Sequence, residues 1–269
     1  MVPEADEAYG DKEIIRSGYF LFFVLSFLPG SLVKWYNCGL QNRGRGFDSL
    51  SSRMESHRSN DVVSGALHLA GAVGAIAVLA VLIVFAALRG GVWHTVGYAL
   101  YGSGLILLYA VSASYHFVPP QRMRLKAWFR RLDHAMIFIL IAATYTPVTF
   151  IALPMGWRWS IFGVIWGLAF LGCALKMRRT ETIPRFLSPI LYLAMGWLIL
   201  LALQPLRASM SVGELWLLIA GGISYTLGVA FFALDRVLPQ QKYFWMHEMF
   251  HVFVLSGSAL HTILMFRLL

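Results

Sequence analysis

The sequence predicts an all-α membrane protein, a bundle of seven transmembrane helices. Hydrophobic residues make up 58% of the 269 positions and charged residues only 13%, an apolar surplus too large for a surface that faces water. The apolar residues fall into seven long runs, each able to cross about 30 Å of hydrocarbon at about 1.5 Å per residue. The runs lack the alternation typical of strands, and lipid admits only helices or closed barrels.

Short polar connections separate the seven runs. We place the predicted helices near residues 64–88, 92–116, 132–152, 158–176, 186–206, 212–234 and 245–267. The seven-helix domain is therefore assigned to 61–269, and residues 1–60 are an N-terminal extension. Within it, residues 17–34 hold an apolar stretch too short for an ordinary span, and 35–53 show no periodicity. We interpret this part as a mispredicted gene start, with translation beginning at Met54. The alternative is an eighth interfacial or spanning helix.

The basic residues predict how the helices are oriented. They are concentrated in alternate connections, at Arg53, Arg58, Arg122, Arg124, Lys126, Arg130, Arg131, Lys176, Arg178, Arg179, Arg185, Arg236 and Lys242. The opposite connections hold only Arg89, Arg158 and Arg207. Because an excess of Lys and Arg marks the cytoplasmic side, we predict a cytoplasmic N-terminus and an outside C-terminus. Despite the net charge of +9, nucleic acid is not an expected partner, since the basic residues form no continuous patch.

Several ionisable or polar residues of the predicted helices lie at one depth. His247 and His251 are four residues apart, so they project from one face of the seventh helix. His116 ends the second helix, with Ser112 one turn before it, and Asp133 opens the third. Such groups are costly in a bilayer and therefore mark function. Their shared position near the predicted cytoplasmic face indicates a single site.

Three imidazoles with an open fourth position are the ligands of a catalytic zinc ion. We predict Zn²⁺ on His116, His247 and His251, with Asp133 as general acid and base and Ser112 supporting the transition state. Taken singly, each residue has an ordinary structural role, such as a hydrogen-bonded histidine pair, a first-turn aspartate that suits the helix dipole, or a serine bonded to its own helix. The prediction depends on their coincidence.

An alternative assignment uses the sequence HEMFH at 247–251, which matches the zinc-protease pattern HExxH. It would make Glu248 the general base. We favour Asp133, because Glu248 points about 100° away from His247 around the helix axis. His134 is left out of the ligand set because it is turned away from Asp133 by the same angle.

Two further histidines, His68 and His261, lie within the predicted helices. His68 in the first helix is either a ligand or a residue that supports one from behind. His261, fourteen residues after His247, lies near the opposite face of the membrane and is predicted to hydrogen-bond a neighbouring helix.

These residues occur in segments that resemble the hemolysin III family, the bacterial branch of the progestin and adipoQ receptor superfamily. The segments are DVVSGALHLAGA (61–72), SASYHFVP (112–119), RRLDHAMIFILIAATYTP (130–147) and HEMFHVFVLSGSALH (247–261). The resemblance covers about residues 61–269. One departure is the first motif, often Glu-x-x-Asn-x-x-x-His in the family, which here reads Asp61, Ser64, His68.

The resemblance implies a seven-helix fold with a cytoplasmic N-terminus in the bacterial inner (plasma) membrane. It implies zinc on the residues matching His116, His247 and His251, with Asp133 contacting the metal-bound water, and it matches Ser112 to the family's serine. Eukaryotic relatives resemble lipid-amide hydrolases of the ceramidase type, and bacterial members are linked to membrane lipid homeostasis. We therefore expect a zinc-dependent hydrolase of a lipid amide or ester, with membrane lipids as partners. The alternative is a non-enzymatic lipid-sensing or cytolytic protein with structural zinc. No protein partner is identified.

Overall fold

The computed structural model describes residues 48–178, 187–235, 238 and 244–269. All regular structure in these residues is helical, and seven of their helices are long and apolar enough to cross a membrane. The predicted fold class is therefore confirmed. The elements are α1 (Asp48–Arg89), α2 (Val92–Phe117), α3 (Met123–Ala152), α4 (Met155–Met177), α5 (Leu187–Trp197), a 3₁₀ segment (Leu198–Ala202), α6 (Leu203–Ser209), α7 (Val212–Leu234) and α8 (Met246–Arg267).

Two helices begin earlier than the hydropathy pattern predicts. The third, α3, begins at Met123 rather than near residue 132, and the described part of α1 begins at Asp48 rather than near residue 64. In both cases the added turns are polar or basic. Hydropathy detects only the part of a helix that lies in lipid, so a helix that continues into the headgroup region is read as a connection.

The predictions about the N-terminal extension mostly concern residues outside the described part of the chain. The apolar stretch at 17–34 lies outside the described residues, as do most of the positions before the predicted start at Met54. The described residues from Glu55 to Leu269 form one compact unit.

Helix α3 lies at the centre of the bundle. In its most apolar window 72% of the residues are buried, against 17% for α7. It packs against α2 and α4, and α7 packs against α8. Large apolar side chains remain exposed on the outer helices, for example Val73, Phe170 and Trp216, as a lipid-facing surface requires.

Small residues let α2 and α3 approach each other closely. A Cβ atom on Gly104 would lie 2.5 Å from Cβ of Ala143, and one on Gly97 would lie 2.9 Å from Cα of Pro147. Gly97 and Gly104 are two turns apart and share one face of α2. Close backbone approach through small residues is a main source of helix association in membranes, so this seam fixes how α2 is rotated against α3.

Helix α1 packs against both α2 and α8. The ring of Phe117 and that of Tyr109, both from α2, lie against Gly65 and Gly71, and Leu255 of α8 also reaches Gly71. The glycines bring the backbone of α1 close enough for its polar side chains on this face to reach the ends of α2 and α8. Ser64 and His68 are both buried there.

The fifth span, Leu187–Ser209, is not one continuous α-helix as predicted. It is interrupted by the 3₁₀ segment between α5 and α6. The hydroxyl of Tyr145 in α3 donates to the carbonyl of Met195 at 2.7 Å and accepts from the backbone N–H of Ile199 at 2.8 Å. This side chain stabilises backbone groups whose ordinary helical pairing is altered at the break.

Candidate metal centre

Three histidines from two helices meet at one end of the bundle. His116 lies in the last turn of α2, and His247 and His251 lie in the first two turns of α8. Nε2 of His247 lies 3.5 Å from Nε2 of His116 and 3.1 Å from Nε2 of His251. One nitrogen of each ring lies within 4.8 Å of the other two. Nitrogen ligands of a tetrahedral zinc ion are about 3.3 Å apart, so this spacing suits one shared cation.

The second ring nitrogen of each histidine faces another side chain. Nδ1 of His116 lies 2.9 Å from Oδ1 of Asp61, and Nδ1 of His251 lies 2.6 Å from Nε2 of His68. Nδ1 of His247 lies 3.9 Å from a carboxylate oxygen of Asp235 at the end of α7. A hydrogen bond from Nδ1–H to such a partner orients the ring and leaves Nε2 with its lone pair toward a metal. The arrangement therefore fits three Nε2 ligands.

The first motif of the chain supplies two of these partners from one face of α1. Asp61 contacts His116, His68 contacts His251, and Ser64 between them donates to Glu248 at 3.0 Å. The spacing of three and four residues places all of them on the same side of the helix. His68 thus supports His251 from behind and stands outside the three-histidine set.

Lys126 connects the site to the basic first turns of α3. Its ammonium group donates to Oδ2 of Asp61 at 2.5 Å, while Oδ1 of the same carboxylate faces His116. The lysine balances the carboxylate charge at the end of the bundle. Asp61 therefore links the start of α3 to a ring of the candidate metal centre.

Ser112 and Asp133 lie together beside His116. The Ser112 side chain interacts with the Asp133 carboxylate, which also interacts electrostatically with His116. Ser112 is buried. Asp133 stands outside the group of three histidines. Asp133 is therefore not one of the residues that share the candidate ligand position.

Glu248 faces away from the three histidines, toward α1 and the start of α8. One carboxylate oxygen accepts from Ser64 and the other accepts from the backbone N–H of Trp245 at 2.7 Å. The second bond is half of a capping box that begins α8. The glutamate of the HExxH match, Glu248, therefore acts as a buried cap at the start of α8. This geometry gives the zinc-protease assignment no support.

His134 and His261 lie apart from the three-histidine centre. The ring of His134 packs edge-on to Phe232 of α7, with centroids 6.1 Å apart. Nε2 of His261 lies 3.2 Å from the carbonyl oxygen of Leu218 in α7. The predicted interhelical hydrogen bond of His261 is therefore confirmed.

Sequence reasoning missed the contacts of Asp61, Lys126 and Asp235. For Asp61 the signal was available, because its spacing from Ser64 and His68 places the three on one helix face. Asp235 follows the last turn of α7, where the helix dipole disfavours a carboxylate. An acidic residue at this position therefore indicates a compensating partner elsewhere in the fold. The pairing of Lys126 had no sequence signal, since it looked like one basic residue among five.

The fold and the site together define a class: an integral membrane protein of seven helices with a buried histidine cluster at one end of the bundle. Within that class, residues 56–262 match the family described as Haemolysin-III related, and the chain belongs to this family.

Individual relatives agree with this assignment. The chain is 35% identical to Hemolysin-3 of Bacillus cereus over 213 residues, which is 78% of this chain and 91% of that protein. It is 34% identical to a Hemolysin-3 homolog of Bacillus subtilis (strain 168), over 74% of this chain and 89% of that protein. It is also 28% identical to the human monocyte to macrophage differentiation factor, over 63% of this chain and 68% of that protein.

Proposed function

We propose that this protein is a zinc-dependent hydrolase that cleaves an amide or ester bond of a membrane lipid. The observation that carries the proposal is the convergence of His116, His247 and His251 beside the interacting pair of Ser112 and Asp133. Three neutral nitrogen ligands with an open position are typical of catalytic zinc. Cysteine, which closes many structural zinc sites, is absent from the described cluster.

A zinc ion held by the three histidines would polarise the substrate carbonyl and supply a nucleophilic water at neutral pH. The Asp133 carboxylate accepts a proton from the attacking water and returns it to the leaving nitrogen or oxygen as the carbonyl–heteroatom bond breaks. Ser112 orients Asp133 through the interaction of their side chains. The products are a carboxylic acid and an amine or an alcohol, which balances the addition of one water.

The proposed location is the cytoplasmic side of the bacterial inner membrane, with lipids as the partners. The Lys126–Asp61–His116 link joins the histidine cluster to the basic first turns of α3. Basic connections favour the cytoplasmic side. A lipid that diffuses in the inner leaflet reaches such a site sideways, without leaving the bilayer.

Metal analysis of the detergent-purified protein tests the first half of the proposal. We expect about one zinc per chain by elemental mass spectrometry, because three ligands with supporting partners bind zinc tightly. His247→Ala should lose the metal, whereas His134→Ala, a histidine change outside the cluster, should keep it. Equal metal content in these two variants would contradict the assignment.

Activity on fluorescent lipid amides and esters tests the second half. Asp133→Asn should reduce turnover by about 10²- to 10⁴-fold with its zinc retained, the contribution expected of a general acid and base. Lipid analysis of a deletion strain should show the substrate accumulating. A deletion strain with an unchanged lipid profile, together with a purified protein inactive on every lipid offered, would remove the enzymatic proposal.

A second candidate is a non-enzymatic, lipid-sensing or cytolytic protein in which zinc is structural. The name Hemolysin-3 of the Bacillus cereus relative favours it. The two candidates differ in their response to Asp133→Asn, because only hydrolysis needs that carboxylate. Lysis of red blood cells by the variant at the wild-type rate would support the second candidate.

A further inference from the structure

A second candidate binding site lies in the other half of the bundle. A recess of about 50 Å³ opens between the broken fifth span and α7, and its walls include Gly196, Leu200, Leu218, Gly222 and His261. His261 is ten residues after His251 on α8, about 15 Å along the helix axis. The recess shares no lining residue with the histidine cluster, so it is a separate feature of the molecule.

The recess exists because the fifth span is interrupted. Tyr145, itself a lining residue, pairs with the backbone of Met195 just before the 3₁₀ segment and with that of Ile199 within it. Two glycines then leave space where the spans meet, since a Cβ atom on Gly222 would come no nearer than 3.6 Å to the ring of Trp197. Trp197 is fixed in turn by its indole N–H, which donates to Thr226 at 3.1 Å. The walls are thus held in place by hydrogen bonds.

One polar atom of the lining side chains is buried without a partner. His261 is only 6% exposed, and its Nδ1 has no hydrogen-bond partner. Its Nε2 lies 3.2 Å from the carbonyl oxygen of Leu218. A carbonyl oxygen only accepts, so Nε2 carries the proton and Nδ1 of the neutral ring is a bare acceptor. A buried acceptor without a donor is unfavourable, so a donor group is expected to occupy this position.

We propose that the recess binds a neutral, membrane-dissolved alcohol. Its hydroxyl donates to Nδ1 of His261, and its carbon chain packs against the leucines. The recess is lined by none of Asp, Glu, Lys or Arg, so it offers no counter-ion to a carboxylate or an ammonium group. A water molecule is a poor alternative, because buried waters need two to four polar partners and the walls are almost wholly apolar.

The entry route is from the lipid. Leu200 lines the recess and is 45% exposed on the outside of the fifth span. A molecule dissolved in the hydrocarbon therefore reaches His261 by passing between the fifth span and α7, without crossing the headgroups.

Quenching of Trp197 fluorescence tests the proposal directly. Purified full-length protein in lipid vesicles is titrated with 6-bromo-1-hexanol, and the signal of a Trp197→Phe variant is subtracted to isolate the tryptophan in the recess. 1-Bromohexane, compared at equal concentration in the bilayer, provides a probe without the donor. We expect saturable quenching by the alcohol and about tenfold weaker binding of the bromoalkane, the loss expected for one hydrogen bond.

Two variants separate the parts of the site. His261→Leu should abolish the preference for the alcohol, because it removes the acceptor and keeps the wall apolar. Gly222→Ile should prevent saturable quenching by filling the recess, while Gly222→Ala, whose Cβ has room, should bind as the wild type does. Helical content and the thermal midpoint show that each variant is folded.

Equal quenching by the two probes in the wild-type protein would overturn the proposal, as would an undiminished preference in His261→Leu. Neither result depends on zinc or on hydrolysis, so failure here leaves the proposed function untouched.

Discussion

The orientation of each candidate metal ligand depends on a residue behind it. Asp61 holds the ring of His116, and His68 holds that of His251. Asp61 is shared with Lys126, so the carboxylate is neutralised on one side and acts as a hydrogen-bond acceptor on the other. Residues in such positions typically affect metal affinity without binding the metal themselves.

Asp61→Asn should therefore weaken zinc binding without removing a ligand. We expect a loss of about 10- to 100-fold in affinity, measured by competition with a chelator of known affinity. Asp61→Glu, which keeps the carboxylate and matches the residue often found in the family motif, should bind nearly as tightly as the wild type. An unchanged affinity in Asp61→Asn would show that the contact does not position His116.

Glu248→Ala should cost stability and leave the metal bound. It removes the acceptors of Ser64 and of the backbone N–H of Trp245 in a buried setting, so we expect a loss of about 1–3 kcal/mol. Glu214→Ala is the matched control, since Glu214 closes the exposed capping box of α7 and should cost less than about 1 kcal/mol. Thermal unfolding and zinc content are both measured. A variant of normal stability that keeps its zinc but loses activity on lipid amides and esters would revive the HExxH assignment.

At the scale of the helices, close contacts decide how the spans are rotated about their axes. The α2–α3 seam brings Gly104 against Ala143 and Gly97 against Pro147. The rotation it fixes is the one that turns His116 and Ser112 of α2 toward Asp133 of α3. Packing of small residues in the membrane therefore bears directly on the chemistry at the end of the bundle.

The seam can be tested by exchanging a methyl group across it. Gly104→Ala should lower the free energy of unfolding by about 1–3 kcal/mol, because its Cβ collides with that of Ala143. Adding Ala143→Gly should recover much of the loss, so the two changes are expected to be non-additive. Gly167→Ala in α4, which meets no atom within 4 Å, is the control. Additive effects of the two seam changes would argue against direct contact.

Hydropathy and spacing predicted the spans far better than their ends and interruptions. All seven spans were found because lipid imposes a length and a composition. The start of α3 at Met123 was missed, since nothing in hydropathy distinguishes a basic helix from a basic connection. The break in the fifth span was missed as well, because it depends on Tyr145, which lies about fifty positions earlier in the chain.

For the whole molecule, the sequence predicted which helix ends come together but not the full set of contacts. His116, His247 and His251 were grouped because they lie at the same predicted depth in the membrane. That depth follows from counting residues from the helix ends. The partners of their Nδ1 atoms depend on rotation and tilt, which only packing determines. Asp61 and Asp235 were therefore unassigned until the helices were seen together.

The predicted orientation of the whole bundle is open to a matched labelling experiment. Met123 and Met155 begin α3 and α4, at opposite ends of the third span, and are 77% and 75% exposed. In a background with Cys38 and Cys173 replaced by serine, Met155→Cys should react with a membrane-impermeant maleimide on intact cells. Met123→Cys should react only after permeabilisation, because the Lys and Arg excess places its end inside. The reverse pattern would invert the topology.

The histidines that meet in the candidate centre come from distant parts of the chain, since His247 follows His116 by 131 positions. Helices α1 and α2, which carry His116 and the residues behind two of the candidate ligands, are synthesised and inserted long before the last span emerges from the ribosome. A cation can therefore be captured by all three rings only once α8 has been threaded beside α1 and α2. Metal occupancy would then report that the entire polypeptide has been inserted, and a chain cut short before its final helix would stay metal-free.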